Sequence, residues 1–204
     1  MTTGPGRRLP RSQRREQILT AATQAFARTG FTATSLSDIA AEAGITRVIL
    51  YRHFESKTDL YQAVLDRVGA LLNTHVAGQV GEFTDASIDG LLAAAAADPA
   101  GFRLLFRHAA REPEFHAQAA RFWTDIYDIA HLQIKAVVAD PTWARWASQL
   151  APTVAIEAVL AWLDAGLPDP TRAPDRIRAA IGGVIAAAAQ PADTGDGSGR
   201  PRPS

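Results

Sequence analysis

The chain has 204 residues, 47% of them hydrophobic, which is sufficient for a folded core in one large or two small domains. It contains no cysteine, which excludes a disulfide framework and a cysteine-based zinc site. The formal net charge is zero, but residues 1–60 carry nine Lys and Arg against five Asp and Glu, a net charge of +4, and the remainder carries −4. This asymmetry is expected when only one part of a protein meets phosphate groups.

Both ends of the chain have the composition of disordered segments. Residues 1–11 form a basic arm with glycine and proline, and residues 190–204 are almost entirely Pro, Gly, Ser, Asp, Arg, Ala and Thr. No uninterrupted apolar run follows the basic N-terminus, and no segment reaches the ~18 apolar residues of a membrane span. We therefore expect a cytoplasmic protein with no signal peptide and no membrane partner.

Between these ends, strand signals are nearly absent and apolar residues recur at spacings of three and four, which predicts an all-α fold of about nine helices. Start and stop signals place the first three helices at about residues 12–28, 36–43 and 47–54. Gly30 and Gly44 end the first and second helices. Ser35 and Asp38 fit a capping box for the second helix, and Thr46 is placed to cap the third.

Helices two and three are short and separated by three residues, which is typical of a helix-turn-helix. That motif needs a small residue where the helices cross, a glycine in the turn and an apolar anchor in the second helix. Ala40, Gly44 and Leu50 occupy these places. An ordinary helical hairpin capped by glycine is the alternative explanation of the same pattern.

The run from Gly44 to Lys57, GITRVILYRHFESK, strongly resembles the G-[VI]-[ST]-x-x-x-[LI]-Y-x-[HY]-F-x-[SN]-K signature of TetR/AcrR transcriptional regulators. Upstream residues also match, in the segments 18–31 and 34–40. The resemblance covers about residues 12–65 and favours the helix-turn-helix over the hairpin. The chain departs from the family at Val48 and Ile49, where family members often carry a small residue and a Thr or Ser.

The resemblance implies that helix three enters the major groove of double-stranded operator DNA. We expect Arg47 to read a base, because a guanidinium donates two hydrogen bonds to O6 and N7 of guanine. Val48 and Ile49 offer apolar surface to a thymine methyl, or one of them belongs to the core. The family's phosphate contacts correspond to Thr34, Thr46, Tyr51, His53 and Lys57, and Arg52 completes the predicted DNA-binding set. The arm residues Arg7, Arg8 and Arg11 either reach a minor groove or are solvated.

The predicted domains are a helix-turn-helix domain, residues 12–56, and an effector-binding and dimerisation domain, residues 57–189. Further helices are expected at about 60–80, 86–97, 102–110, 114–138, 142–165 and 174–189. Helix four alone would connect the two domains. Pro152 predicts a kink or short break in helix eight. Helix seven is apolar on two faces and must be buried on two sides.

In the family, the helix corresponding to helix seven lines a cavity for a small effector. The candidate pocket residues are Phe102, Phe106, Phe122, Trp123, Tyr127, His131 and Trp162. Because aromatic residues at helical spacing are usually core, only a subset should face a ligand. Tyr127 and His131 are placed to orient an apolar ligand, although structural hydrogen bonds explain them equally.

Helix nine contains adjacent glycines, which cost about 1 kcal/mol each in a helix interior. Close approach of another helix would offset that cost, and the family dimerises through its last two helices. The predicted homodimer interface is Ile181, Gly182, Gly183 and Val184. Packing of this helix within its own chain is the alternative.

His108, Glu112 and His116 have the spacing that places metal ligands on one helical face. Pro113 interrupts that face, so we expect no metal site. We also find no nucleotide-binding or catalytic motif, and we expect neither a cofactor nor enzymatic activity. The favoured function is a repressor released from its operator by a small apolar effector. The alternatives are an activator or ligand-independent DNA binder, and a small-molecule-binding protein that has lost DNA binding.

Overall fold

A computed structural model describes residues 9–76 and 85–191, and within these ranges the chain forms nine α-helices and no strand. The helices are α1 (Arg11–Ala33), α2 (Leu36–Glu42), α3 (Arg47–Tyr51), α4 (Lys57–Val76), α5 (Asp85–Ala97), α6 (Pro99–Arg103), α7 (His116–Ile134), α8 (Pro141–Asp164) and α9 (Ala173–Ala188). The all-α prediction is confirmed. None of these described helices has the length and apolar character needed to cross a membrane. The predicted basic arm and C-terminal tail lie mostly outside the described residues.

The capping signals of α2 and α3 act as predicted, whereas α1 begins at Arg11 without a capping side chain. The Ser35 side chain accepts from the Asp38 N–H while the Asp38 carboxylate accepts from the Ser35 N–H, which completes the capping box of α2. The Thr46 side chain accepts from the Ile49 N–H at the start of α3. Gly44, in the turn between α2 and α3, has a φ of +63°, a left-handed conformation that favours glycine. These local interactions set the geometry of the helix-turn-helix.

The core of this N-terminal unit comes from all three helices. Ile18 and Phe26 of α1, Ile39 of α2, Leu50 of α3 and Phe54 are almost completely buried in one cluster. Burying each such side chain contributes about 1.5–3 kcal/mol relative to exposure. The short α3 is therefore held by its buried anchors, since five residues are too few to form a stable helix alone.

The segment between α6 and α7 differs from the prediction of one regular sixth helix ending near residue 110. After Arg103 the chain makes a π-helical turn (Leu104–His108) and two 3₁₀ turns (Ala109–Arg111 and Pro113–Phe115). Pro113 disfavours the α conformation of the residue before it, and Glu112 accordingly has an extended ψ of 116°. Helix α7 consequently begins two residues later than predicted and ends at Ile134.

Helix α8 lies at the centre of the second domain, where it packs against α5, α7 and α9. Of the predicted kink or short break at Pro152, the break is wrong, because α8 runs from Pro141 to Asp164 as one α-helix with Pro152 inside it. Pro152 is buried, so its ring contributes apolar surface to the core although it cannot donate a helical hydrogen bond.

The two domains meet through more than α4, contrary to the prediction from the sequence. Helix α1 packs against α6 and the π-helical turn. The Phe31 N–H donates to Glu112 Oε1 at 3.0 Å, and the Phe115 ring lies 5.1 Å from Phe31 and 4.3 Å from Tyr61 between centroids. Glu112, considered above as a metal ligand, therefore belongs to this contact between domains.

Candidate nucleic-acid interface

Helix α3 presents an exposed face formed by Arg47, Val48 and Tyr51. Val48 is 64% exposed and Tyr51 47% exposed. Arg47 Nη2 donates to the Tyr51 hydroxyl at 3.1 Å, and the guanidinium carbon lies 5.6 Å from the Tyr51 ring centroid. Tyr51 thus holds the guanidinium on the outer side of α3, where four of its five N–H donors remain for a base or phosphate.

The structure distinguishes the positions of Val48 and Ile49, which the sequence could not tell apart. Val48 points outward, whereas Ile49 is half-buried and lines a cleft at the end of α3. Val48 is therefore the better candidate for contact with a thymine methyl. The exposed Thr46 hydroxyl accepts the capping hydrogen bond and keeps its own proton, so its predicted phosphate contact is compatible with its capping role.

Thr34 does not occupy an open position. It is only 3% exposed, and its hydroxyl donates to the Gly30 carbonyl at 2.6 Å and lies 2.7 Å from the Thr29 hydroxyl. The phosphate contact of Thr34 stays a prediction, although the hydroxyl is enclosed by the end of α1 in this structure. Thr34 satisfies a carbonyl that the bend at Gly30 leaves outside the helical pattern.

Lys57 has a structural role that its position in the motif does not reveal. Its ammonium donates to the carbonyl oxygens of Phe31 at 2.8 Å, Thr32 at 3.3 Å and Thr34 at 3.1 Å. The same nitrogen lies 4.4 Å from the Phe31 ring centroid. All three ammonium protons are thus directed to main-chain carbonyls at the end of α1, so a phosphate contact would displace one of these bonds.

Arg52 and His53 lie at the end of α3 beside the start of α1. With Leu9, Arg11, Arg14 and Ile49 they line a cleft of about 470 Å³. Burial lowers the pKa of His53, and the nearby guanidinium groups of Arg11, Arg14 and Arg15 lower it further. Both residues therefore lie together with the first residues of α1, and their contact with DNA stays a prediction.

Five of the predicted pocket residues form one aromatic series. Ring centroids are 4.6 Å apart for Phe102 and Phe106, 5.6 Å for Phe106 and Phe122, and 5.8 Å for Phe106 and Trp123, and Tyr127 stacks on Trp123 at 5.5 Å. Phe102 and Phe106 are buried, whereas the three residues of α7 are half-buried. A cavity of about 10 Å³ lies beside Phe102, which is room for at most one water molecule.

The other two predicted pocket residues already have polar partners. His131 Nδ1 lies 3.1 Å from the Ser148 hydroxyl, which itself donates to the Ala144 carbonyl at 2.6 Å. Because that hydroxyl has one proton, Nδ1 is the donor to Ser148 and Nε2 remains available. Trp162 lies near the end of α8, where its indole N–H donates to the Pro168 carbonyl at 2.8 Å.

The predicted dimer residues divide between two environments. Ile181 is buried and Val184 packs against the core of its own chain. Gly182 and Gly183 are exposed, and a Cβ added to either would meet no atom within 4 Å. Of the four predicted interface residues, only the two glycines therefore lie on an outer surface.

The architecture defines a helix-turn-helix protein with a helical second domain. Residues 18–64 match the profile of "Bacterial regulatory proteins, tetR family". A TetR-like transcriptional regulator from Rhodococcus sp. RHA1 has the same fold, with a TM-score of 0.76 and 21% identity over 88% of this chain and 99% of that one. The N-terminal domain thus matches the TetR family profile, and the chain as a whole shares the fold of that TetR-like regulator.

Sequence relatives agree with this assignment. The transcriptional activator FasR of Mycolicibacterium smegmatis is 37% identical over 120 residues, 55% of each chain. The transcriptional repressor BepR of Brucella suis is 43% identical over 56 residues, 28% of this chain and 27% of BepR. The chain thus spans about half of FasR and less of BepR. These relatives are named as regulators, in agreement with the prediction that the chain is not an enzyme.

The contacts of Lys57 predict a loss of stability on its replacement. Lys57→Met keeps most of the apolar stem but removes three hydrogen bonds to carbonyls, so we expect the free energy of unfolding to fall by roughly 1–3 kcal/mol. Denaturant unfolding measures this difference. Arg52→Met is the control, because Arg52 is exposed, and its effect should stay within about 0.5 kcal/mol. Unchanged stability of Lys57→Met, with a weaker salt dependence of DNA binding, would restore the phosphate role.

Proposed function

We propose that the protein is a transcriptional regulator that binds pseudo-palindromic operator DNA as a homodimer. The observation that supports this most directly is the exposed α3 face, on which Tyr51 holds the Arg47 guanidinium outward beside Val48. The +4 charge of residues 1–60 favours approach to DNA. Arg47 would contact guanine and Val48 a thymine methyl, while Thr46, Tyr51, Arg52 and His53 would contact the backbone.

Dimerisation through α8 and α9 is supported by the outer face of α9. After Asp175 and Arg176, its exposed residues are all small: Ala179, Ala180, Gly182, Gly183, Ala186 and Ala187. A face without large side chains allows the backbone of another helix to approach closely, and a symmetric dimer would place α9 against α9 of the second copy. Such a dimer would carry two copies of α3, as a pseudo-palindromic site requires.

We also propose that a small apolar effector binds near Phe106, Phe122 and Trp123 and releases the protein from DNA. The half-buried aromatic residues of α7 and the available Nε2 of His131 support this, since apolar surface would provide affinity and the imidazole nitrogen would select among ligands. A bound ligand must prefer one spacing of the two α3 helices to cause release. Repression is the form of regulation that we propose, and activation is the alternative favoured by the similarity to FasR.

The role of Arg47 can be measured by selecting bound duplexes from a random library. Wild type should enrich a two-fold symmetric site, and Arg47→Ala should lose preference at one position of each half-site, at a cost of roughly 1–3 kcal/mol. Arg47→Lys should also lose it, because lysine keeps the charge but not the planar pair of donors. Arg172→Ala, an exposed change in the loop before α9, is the control and should retain the wild-type site. No enrichment by wild type would contradict the proposed function.

The proposed interface predicts that Gly183→Leu yields monomers. The leucine meets no atom of its own chain at the Cβ position, so the protomer should stay folded while the second α9 is held away. Sedimentation velocity at micromolar concentrations distinguishes dimer from monomer, and circular dichroism checks folding. Ala93→Leu places the same side chain on the exposed surface of α5 and should remain dimeric. A monomeric wild type, or a dimeric Gly183→Leu protein, would contradict this interface.

The effector proposal predicts that apolar compounds stabilise the protein against heat, with affinity that rises with ligand size at about 25 cal/mol per Å² of buried apolar area. Trp123→Leu should lose this stabilisation and the release of DNA, yet still bind DNA. Trp143→Leu is the matched control, because Trp143 is exposed near the start of α8. If no compound stabilises wild type, or if both variants lose the response equally, the effector proposal fails while the DNA-binding proposal stands.

A further inference from the structure

The cleft between the start of α1 and the end of α3 has the chemistry of an anion site. Its polar lining consists of Arg11, Arg14, Arg52 and His53, and Leu9 and Ile49 supply the apolar part. No carboxylate is present among the described residues that line it. Helix α1 also begins here without a capping side chain and without an acidic residue in its first turn, so the positive end of its dipole adds to the same potential.

The arginines of the cleft have no acidic partner among the described residues, unlike Arg28 of α1 and Arg67 of α4. Arg28 is paired with Glu42, and Arg67 of α4 is paired with Glu16 at 2.5 Å and Asp98 at 3.2 Å. Arg14 instead donates to the neutral amide oxygen of Gln17 at 2.8 Å, and within the described part of the chain neither Arg11 nor Arg52 has an ion-pair partner. The positive charge of the cleft is thus not neutralised by these side chains and is available to bind an anionic ligand.

His53 is the titratable member of this group. The groups that face it are Arg11, Arg14 and Arg15 of α1 and its neighbour Arg52, all cationic. Burial and these charges lower the pKa of His53, so its imidazole is neutral at pH 7 while the cleft is empty. A bound anion would raise the pKa of His53 again, because it neutralises the charge of the arginines and accepts a hydrogen bond from the protonated ring.

We propose that this cleft binds one phosphate of the DNA backbone, outside the base contacts of α3, and that His53 contacts this phosphate as an imidazolium. Arg11 and Arg14 are the further DNA-binding residues that the structure assigns. The proposal rests on the proposed function and adds proton uptake to it. On complex formation His53 takes one proton from the solvent, and on dissociation it returns that proton.

The sign of the pH dependence follows from this linkage. Each protomer of the complex holds one more proton than the free protomer in the range between the lowered pKa of free His53 and its higher value beside phosphate. Affinity for DNA must therefore rise as the pH falls through that range and become independent of pH above it. Above this range the imidazole remains neutral in both states and contributes no charge to binding.

The first experiment measures the salt dependence of binding to a mixed-sequence duplex of about 30 base pairs, since phosphate contacts do not depend on sequence. Arg11→Gln and Arg14→Gln should each reduce the slope of log K against log salt by about 0.9 per protomer, or about 1.8 for the dimer. Arg14→Lys should restore the slope, which separates the charge from the hydrogen bond to Gln17. Arg172→Gln removes the same charge from the loop before α9 and should leave the slope unchanged. Thermal unfolding confirms that each variant is folded.

The second experiment measures affinity for the same duplex between about pH 5.5 and 8 at constant ionic strength. Wild type should bind several-fold more tightly at the acidic end, and His53→Gln should lose most of this change. Titration by NMR should show a higher His53 pKa with the duplex than without it. Inorganic phosphate at millimolar concentration is the comparison that distinguishes the DNA backbone from a free ion, and it should give a smaller increase.

The outcomes separate the two proposals. If wild type binds no duplex, the proposed function fails. If wild type binds but the Arg11 and Arg14 variants keep the full salt slope, or His53→Gln keeps the full pH dependence, DNA binding stands and the cleft proposal is overturned. It is also overturned if inorganic phosphate raises the His53 pKa and DNA does not, because the cleft would then hold a free anion.

Discussion

The bend at Gly30 is the constraint on which the arrangement of both domains depends. Its φ of +77° interrupts α1 three residues before the helix ends, and this left-handed conformation favours glycine. Because the chain turns there, carbonyls of the following residues meet Lys57 at the start of α4, and the Phe31 N–H meets Glu112 of the second domain. A Cβ at position 30 would lie 3.3 Å from Glu112 Oε1, so an added side chain would also crowd the contact between domains.

The same bend positions an aromatic cluster that connects α1, α4 and the turn before α7. Tyr61 of α4 is completely buried against Phe26, Phe31 and Phe115, and burial raises the pKa of its hydroxyl well above its usual range. That hydroxyl has no hydrogen-bond partner within the described residues. Leaving it unpaired costs roughly 1–3 kcal/mol, which the ring contacts offset. Any displacement of Phe115 at the start of α7 would disturb α1 and α4 together, so the contact is suited to transmit movement between the domains.

The sequence predicted those features that short-range interactions determine. The capping box of Ser35 and Asp38 and the glycine turn at Gly44 are readable within a few residues, so α2 and the start of α3 were predicted to within a residue, although α3 ends at Tyr51 and not near residue 54. The role of Lys57 was not, because it depends on carbonyls more than twenty residues away along the chain. The continuity of α8 through Pro152 also depends on tertiary packing, which outweighs the local cost of proline. The domain boundaries and the effector site remain predictions.

Net charge could not identify the DNA-facing surface, because arginine serves two purposes in this protein. Arg28 and Arg67 neutralise carboxylates of neighbouring helices, so they contribute to packing and little to the external field. Arg47 is held by a tyrosine and Arg14 by a neutral amide, and neither partner cancels the charge. The external field of the N-terminal unit therefore comes from the cations without acidic partners. These lie on α3 and beside it, on the surface that we propose meets the phosphate backbone.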